Sequence, residues 1–469
     1  MNEITTIVLA AGAGTRMKSD KAKVAHRISG KALVNWVLDA ASEAGSTQNI
    51  VVVGHKADEV ITLLPPNTPS VMQTDQKGTG HAVKTAVDVT ALLASTTLVL
   101  CGDAPLIKGE TLKNAFSWHI EQKNMITVLT TVLEDSSGYG RIVYDTEGNI
   151  EKIVEQKDAT PEIKKIREIN TGIFFFDTNT LKNTLPLLQN NNSQREYYLT
   201  DALGIIIQSG GKAGSFQVPD SSETLGINDR VQLAEADAVL QKRIKNSLMK
   251  EGASFILPDT TWVSWDTVIG EDTVIMPGSV IDTGTIIGRN CTIGPNTRIA
   301  KSTIHNGAAI ANSVITESIV GEYSNIGPFA YLRPGSIIGK HVKIGDFVEI
   351  KKSVIGDDTK ISHLTYVGDA EIGERVNLGC GVVVVNYDGR NKNKTIIGDD
   401  AFIGCNTNLV SPVEIKEHAY IAAGSTITKE VPPFALGIAR SRQTVLEDWV
   451  KRKGLDKPKE ISEPDEKKK

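Results

Sequence analysis

Val268-Ile269-Gly270-Glu271-Asp272-Thr273-Val274-Ile275-Met276-Pro277-Gly278-Ser279-Val280-Ile281-Asp282-Thr283-Gly284-Thr285-Ile286-Ile287-Gly288 is the stretch whose reading decides the fold. An aliphatic residue returns every six positions, at Ile269, Ile275, Ile281 and Ile287. The register continues through Ile293, Ile299 and, after a five-residue step, Ile304, then through Ile338, Ile344, Ile350, Ile361, Ile372 and Leu378 to Ile397, Ile403, Leu409, Ile415, Ile421 and Ile427. At roughly 3.6 residues per turn a strict six-residue step walks around a helix. Short strands joined by turns instead bring every sixth residue to the same inward place on a coil, so the pattern predicts a parallel β-helix. Gly often follows the inward residue, as at Gly270, Gly288, Gly339, Gly356 and Gly373. There a turn is expected to need a residue without a Cβ.

Working outward, 469 residues exceed what one core organises, so several domains are expected. From residue 4 to about 228, short β-rich runs alternate with helical stretches: Thr5–Leu9, Ala32–Glu43, Ile50–Val53, Gly80–Ala91, Thr97–Leu100. That alternation predicts a parallel sheet with crossover helices, an α/β Rossmann-like domain over 1–229. Leu233, Ala236, Leu240, Ile244 and Leu248 stand at helical spacing, which predicts a helical linker arm over 230–250 capped by Asn228 or Asp229. The β-helix domain is expected over 251–450, and the Lys-, Glu- and Asp-rich tail 451–469 is expected to be disordered.

The net charge of −5, with mixed signs throughout, predicts no nucleic-acid partner and no membrane surface. No apolar stretch reaches the roughly 20 residues that span a bilayer. The apolar run Ile4 to Ala11 leads into a glycine loop rather than a cleavage site, so a cytoplasmic protein is expected. Cys101, Cys291, Cys380 and Cys405 lack both CxxC spacing and the density of a disulfide scaffold, which predicts reduced thiols and no cysteine-ligated zinc.

The first strand runs into Ala10-Ala11-Gly12-Ala13-Gly14-Thr15-Arg16-Met17, with Lys23 a few residues on. Glycines at a strand end let backbone N–H groups approach phosphates, and Arg and Lys offset their charge. A Gly-x-Gly by itself is equally an ordinary tight turn. A second element supports the phosphate reading: the buried-type strand Leu98-Val99-Leu100-Cys101 ends in Gly102-Asp103, and in a parallel sheet the ligand crevice lies beyond such strand ends. Asp103 would then face a metal and a triphosphate, where a lone strand-end Asp is more often a turn residue. Gln73…Gly78-Thr79-Gly80-His81, Gly138-Tyr139-Gly140-Arg141, Glu155 and Asn170-Thr171-Gly172 complete the set.

In the second half the interruptions of the period carry the information. Between Val384 and Ile397 extra residues hold Asn386-Tyr387-Asp388-Gly389-Arg390-Asn391-Lys392, an extruded loop of the kind that gathers on a solenoid's binding face. Polar residues flank the coil at Arg333, Glu349, Lys351, Lys352, His363, Tyr366 and Asn377. His363 is a candidate general base, although a single histidine is more often a solvent-facing turn residue.

Leu9-Ala10-Ala11-Gly12-Ala13-Gly14-Thr15-Arg16-Met17 with Lys23 resembles the signature of sugar-nucleotide pyrophosphorylases, and Ser362-His363-Leu364-Thr365-Tyr366-Val367-Gly368-Asp369-Ala370 resembles an acetyltransferase motif. In this order the two resemble the bacterial bifunctional N-acetylglucosamine-1-phosphate uridyltransferases/glucosamine-1-phosphate acetyltransferases over about residues 4–445. The resemblance implies a left-handed parallel β-helix, a homotrimer with each acetyl site built between neighbouring subunits, and a supply of UDP-N-acetylglucosamine to peptidoglycan and lipopolysaccharide. It implies that Leu9, Ala10 and Gly12 line UTP, that Gln73, Gly78 and Thr79 read the uracil, and that Gly140, Glu155 and Asn170 hold the acetylated sugar. Asp103 and Asn228 would ligate Mg²⁺, with Arg16 and Lys23 on the phosphates. In the second half it implies His363 as base toward acetyl-CoA, with Arg333 and Lys351 on the phosphate of glucosamine 1-phosphate. Tyr366 and Asn377 would hold the sugar, and Asn386 and Tyr387 would lie near the thioester. Cys380, Cys405, Ala423 and Arg440 would contact acetyl-CoA, and Glu349 would orient the amine or the base. Ala22, Cys101, Cys380 and Cys405 depart from the commonest family residues, Pro, Tyr/Ser/Ala, Ala and Ser respectively.

Two other readings compete. One is a nucleotidyltransferase whose β-helix only oligomerises or regulates; such relatives lack the 362–366 segment and the 386–392 loop. The other is a zinc hydratase on the same solenoid, for which His341 and His363 have no third partner at suitable spacing.

Overall fold

A computed structural model describes residues 3–458, which divide into two compact units at the step from Gly307 to Ala308. The tail reading for 459–469 lies outside the described residues; just before it, Trp449–Arg452 form a single helical turn.

The first unit opens with β1 (Ile4–Ala10), whose β-branched run is buried on both faces, as a central strand requires. It pairs in parallel with β2 (Ser46–Val53) and with β4 (Thr96–Cys101), and β2 in turn with β3 (Ser70–Met72). Beyond them lie β5 (Ile126–Val132), β6 (Arg141–Tyr144), β7 (Ile150–Val154), β8 (Glu168–Asp177) and β9 (Ala213–Gln217), giving the order β9-β5-β8-β4-β1-β2-β3. The expected parallel sheet is interrupted by β8, which runs antiparallel to β4, β5 and β6, and by β6, which pairs antiparallel with β7. Its Phe174-Phe175-Phe176 alternate across the sheet, so Phe175 joins one hydrophobic core and Phe174 and Phe176 the other. Helix α1 (Leu33–Glu43) packs Val34, Val37, Leu38 and Ala41 into the first core, and α2 (Thr79–Val89) packs Ala82, Val83 and Ala86 into the second.

Helix α3 (Arg230–Lys250) starts where the Asp229 carboxylate accepts the N–H groups of Val231 and Gln232. Its buried Gln241 behaves like a strand toward the first coil: Nε2 donates to the Val263 carbonyl at 2.7 Å, and Oε1 accepts the Val263 N–H at 2.9 Å. Lys245 Nζ donates to the carbonyls of Pro258 and Thr261 at 2.6 and 3.0 Å. The helix thereby satisfies polar groups along an edge that would otherwise be open.

The coils are left-handed parallel β-helix. In the first unit Ser254–Phe255, Trp262–Val263 and Val268–Ile269 pair in parallel with Val274–Ile275, Val280–Ile281 and Ile286–Ile287 on the next coil. In the second unit one face stacks Lys343–Asp346, Lys360–His363, Asn377–Leu378 and Phe402–Ile403. The next face stacks Glu349–Lys351, Tyr366–Gly368 and Val383–Val385. The third stacks Val354–Ile355, Ala370–Ile372 and Thr395–Ile397. The inward aliphatic residues are buried throughout, and beneath them a ladder of buried Ser and Thr hydroxyls bonds coil to coil, as where Thr273 Oγ1 donates to Gly288 O at 2.7 Å and Thr359 Oγ1 to Gly373 O at 2.8 Å.

Gly294 and Gly327 take the left-handed φ, 106° and 103°, that a turn glycine is expected to supply, but glycines such as Gly270, Gly288 and Gly356 serve another purpose. The left-handed corner conformation falls two residues later on non-glycine residues such as Asp272, Asn290 and Asp358, with φ of 59°, 56° and 59°. Gly270 is required because a Cβ there would lie 2.7 Å from the Gly288 carbonyl carbon of the next coil, and Gly356 is constrained in the same way by Gly373. Coil spacing sets these positions, not turn dihedrals.

Ile286 and Ile287 share one strand, but the first is 50% exposed and the second 1%. Ile287→Ala is expected to destabilise the fold by about 2–5 kcal/mol and Ile286→Ala by less than about 1 kcal/mol, read as shifts in urea midpoint at constant slope.

Candidate active sites

The C-terminal ends of β1 and β4 open into a cavity of about 410 Å³. Leu9, Ala10, Gly12, Arg16, Lys23, Gln73, Gly78, Thr79, Asp103 and Asn228 all line it, so these sequence-derived candidates are brought together. The chain leaves β1 through Gly14, at φ 60°, into the short turn Thr15–Met17 that aims Arg16 inward. A Cβ on Gly14 would strike the Lys23 side chain. The N–H of Ile227 donates to the Asp103 carbonyl at 2.9 Å, which carries Asn228 to the same spot.

The charged end of the cavity is tightly paired. Lys23 Nζ forms an ion pair with Asp103 Oδ2 and donates to Asn228 Oδ1 at 2.9 Å, while Arg16 Nη2 donates to the same Oδ1 at 2.8 Å. Two cations thus meet two oxygen ligands. Among the described residues no cluster of three or more His, Cys, Asp or Glu side chains stands at metal-binding spacing. One carboxylate and one amide oxygen still suit Mg²⁺, which keeps several waters and takes its other ligands from phosphates.

At the other end the Gln73 side chain is buried and Thr79 Oγ1 accepts the N–H of Leu199 at 3.1 Å. Gly78, at φ 104°, packs so closely that a Cβ would lie 2.6 Å from the Tyr197 carbonyl oxygen. Gln76 and Glu196 also line the cavity, and Gln76 Nε2 donates to the Ala11 carbonyl at 2.7 Å. The sequence reading missed both, since nothing in their local pattern marks them.

Gly140, Glu155 and Asn170 form a separate group beside this cavity. Asn170 N–H donates to Gly140 O at 2.9 Å, and a Cβ on Gly140 would lie 3.4 Å from both Glu155 carboxylate oxygens. Asn170 Oδ1 accepts the Gly172 N–H at 2.9 Å, and Cys101 Sγ, on the cavity wall, contacts Gly172 O at 3.6 Å. Burial raises the Glu155 carboxyl above its ordinary range, opposed by the Thr200 hydroxyl that donates to it at 3.3 Å.

In the second unit His363 ends one strand and Tyr366 begins the next face, so the corner between them presents both. His363 Nδ1 lies 2.7 Å from Asp346 Oδ1, and this hydrogen bond holds the Asp346 carboxyl below the usual range. With Nδ1 engaged, Nε2 is the nitrogen left for chemistry. Arg333 Nη1 donates to Glu349 Oε1 at 2.7 Å, and Glu349 pairs in register with Tyr366. Lys351 Nζ lies 3.5 Å from Asp369 Oδ2, which also accepts from Asn386 Nδ2. Asn386 Nδ2 in turn reaches Tyr366 Oη at 3.5 Å. Lys351, Asp369, Asn386 and Tyr366 are therefore one bonded network, and the Arg333–Glu349 pair stands beside it on the same face.

The carboxylate that bonds His363 is Asp346, while Glu349, expected to orient the amine or the base, is paired with Arg333. A signal for Asp346 was present: it precedes His363 by 17 residues, one coil. Asn377 stands on the column with Lys360 and Phe402, and no hydrogen bond joins it to the network among the described residues. Tyr387 lies in the extruded loop, closed by a bridge to Lys392 whose Nζ sits 4.1 Å from the ring centre.

The remaining candidates follow one corner upward. Gly381 N–H donates to His363 O at 3.3 Å, next to Cys380; Asn406 N–H donates to Cys380 O at 2.8 Å, next to Cys405; Gly424 N–H donates to Cys405 O at 2.8 Å, next to Ala423. Arg440 Cδ approaches Gly424. Residues far apart in sequence thus form a continuous track from His363 to Arg440.

The nucleotidyl transferase family profile matches residues 5–265, the LbH domain of EIF2B subunit epsilon matches 247–350, and the bacterial transferase hexapeptide profile (six repeats) matches 394–429. "Bifunctional protein GlmU" of Acetivibrio thermocellus is 54% identical over 455 residues, covering 97% of this chain and 99% of that protein. The proteins of that name from Alkaliphilus metalliredigens and Clostridioides difficile are 50% and 51% identical, over 97% and 95% of this chain and 100% and 97% of their own lengths.

All four cysteines are free thiols. Burial, with Asp103 beside it, pushes the Cys101 thiol up to about 12, whereas Cys405 is exposed on the corner track. Iodoacetamide at neutral pH is expected to label Cys405 first and Cys101 and the buried Cys291 last, followed by peptide mass spectrometry.

Proposed function

We propose that this chain, which belongs to the family of bifunctional GlmU proteins, carries out uridylyl transfer in the cavity around Lys23 and acetyl transfer at the corner around His363. The two activities are those of the family: acetyl transfer from acetyl-CoA to glucosamine 1-phosphate, then uridylyl transfer from UTP to N-acetylglucosamine 1-phosphate with release of pyrophosphate. The observation that carries the assignment is the convergence of Arg16, Lys23, Asp103 and Asn228 at one strand end and of Asp346, His363 and Tyr366 at one corner.

In the first site a phosphate oxygen of the sugar 1-phosphate attacks the α-phosphorus of UTP, and the bond to the departing pyrophosphate breaks. The attacking oxygen is already anionic, so no general base is required. Arg16 and Lys23 offset charge on the phosphates. Mg²⁺, held by Asp103 and Asn228, would supply Lewis-acid neutralisation of the same oxygens. With the metal and nucleotide in place, the Lys23 ammonium exchanges its present partners for phosphate. Gln73, Gly78 and Thr79 face the base, Leu9, Ala10 and Gly12 the nucleotide, and Gly140, Glu155 and Asn170 the acetylated sugar.

In the second site His363 Nε2 takes a proton from the sugar amine, the nitrogen attacks the thioester carbonyl, and coenzyme A leaves as the thiol. Asp346 holds the ring in the tautomer that leaves Nε2 free and stabilises the imidazolium that forms. Arg333 and Lys351 take the sugar phosphate, Tyr366 and Asn377 the sugar, and Asn386 and Tyr387 lie at the thioester. Cys380, Cys405, Ala423 and Arg440 form the track for the rest of acetyl-CoA.

Hexapeptide repeats favour trimers, and we read the assembly as a homotrimer. Its support is a column of exposed apolar residues at the catalytic corner: Phe329, Phe347 and Leu364 are 56%, 58% and 57% exposed, with the two Phe rings stacked at 5.5 Å. A neighbouring copy would cover them and close over His363. No helix among the described residues is long and apolar enough to cross a membrane, and we read the enzyme as cytoplasmic, where UTP and acetyl-CoA are supplied.

His363→Ala is expected to abolish acetyl transfer and spare uridylyl transfer, and Asp103→Ala to do the reverse. Asp346→Asn should lower acetyl-transfer kcat by about tenfold or more. Assays for free thiol and pyrophosphate check both, and loss of both activities from either folded variant would contradict separate sites.

A further inference from the structure

Gln73 closes the base end of the nucleotide cavity, and its amide is held from one side only. Nε2 lies 3.0 Å from His81 Nδ1 and donates to the Gly78 carbonyl at 3.3 Å. An amide N–H₂ can only donate, so His81 Nδ1 must be the acceptor and the ring proton must sit on Nε2. Gln73 Oε1 takes no hydrogen bond from the protein among the described residues and opens into the cavity. Turning the amide over would set Oε1 3.3 Å from the Gly78 carbonyl, which cannot donate, and would keep the His81 contact only if the ring proton moved to Nδ1.

We propose that His81 is the positioning residue that gives the uridylyl-transfer site its choice of base, by locking the Gln73 amide with its oxygen toward the nucleotide. The proposal rests on the reading above that Gln73 faces the base. An acceptor at that place matches the N3–H donor of uracil. It opposes cytosine, which presents an unprotonated N3 lone pair there. A released amide can rotate and offer Nε2 to cytosine instead, so discrimination depends on what lies behind Gln73 as much as on Gln73 itself. His81 belongs to the first turn of α2 and also lines a neighbouring cavity, so its ring is not required as packing for the nucleotide cavity, which it does not line.

The test compares kcat/KM for UTP and CTP with N-acetylglucosamine 1-phosphate in the full-length enzyme. His81→Ala is expected to lower the UTP-to-CTP ratio by about tenfold. His81→Asn, whose Oδ1 can stand where Nδ1 stands, should keep the ratio within about threefold of the original. A purely structural role would depress both nucleotides alike and leave the ratio unchanged, which would overturn the proposal, as would an Asn variant that behaves like Ala. Gln73→Ala separates the two levels. If it collapses the ratio while His81→Ala does not, only the role of His81 fails; if it leaves the ratio intact, Gln73 does not read the base.

Discussion

The inward aliphatic ladder is the constraint on which the second half of the molecule depends. Ile344, Ile350, Ile361, Val367 and Ile372 are buried at 3% exposure or less, and a strand's side chains alternate, so a slip of one residue would turn each of them outward. The coil register is therefore fixed by burial, at roughly 25 cal/mol for each Å² of apolar surface removed from water. Polar groups on the outside inherit that register without contributing to it. Asp346 lies beside His363, and Glu349 beside Tyr366, because Ile344 and Ile350 sit beside Ile361 and Val367. The corner that presents His363 and Tyr366 is a by-product of packing, positioned by the buried core rather than by a loop.

The α/β part of the first unit solves the same problem without repetition. Its site stands where β1 and β4 stop, and the groups there come from four separate segments: the glycine turn, the Lys23 turn, Asp103 and Asn228. What gathers them is charge in a partly enclosed place, with Lys23 largely shielded and paired to both oxygen ligands. Such a cluster is satisfied in the free enzyme and ready to be rearranged by a triphosphate, which offers the cations stronger partners.

The repeat was legible in the sequence because period is a global property; every inward residue from Ile269 to Ile427 that the six-residue step marks is buried. The α/β alternation was legible for the same reason, but the direction of β8 was not, since an apolar strand reads alike either way. Much of the cavity wall at the end of β1 was readable through a motif that keeps Leu9 to Lys23 in one segment. Asp346 went unread because its partner lies one coil away, and recognising it requires converting the register into a spatial column. The glycines were read as a need of the turn, whereas at Gly270 and Gly356 it is the next coil that excludes a Cβ, and contact between coils leaves no trace in local composition. Gln76 and the link from Gln73 to His81 depend on how loops fold over β1, which no periodicity encodes.

The central claim is that one chain holds two chemically independent sites, joined by a shared intermediate and nothing else. The most direct measurement supplies the purified protein with glucosamine 1-phosphate, acetyl-CoA, UTP and Mg²⁺, follows free thiol and pyrophosphate together, and omits one cosubstrate at a time. Thiol release should continue without UTP, and pyrophosphate release should continue without acetyl-CoA once N-acetylglucosamine 1-phosphate is provided. Thiol release that requires UTP, or pyrophosphate release that requires acetyl-CoA under those conditions, would contradict the account.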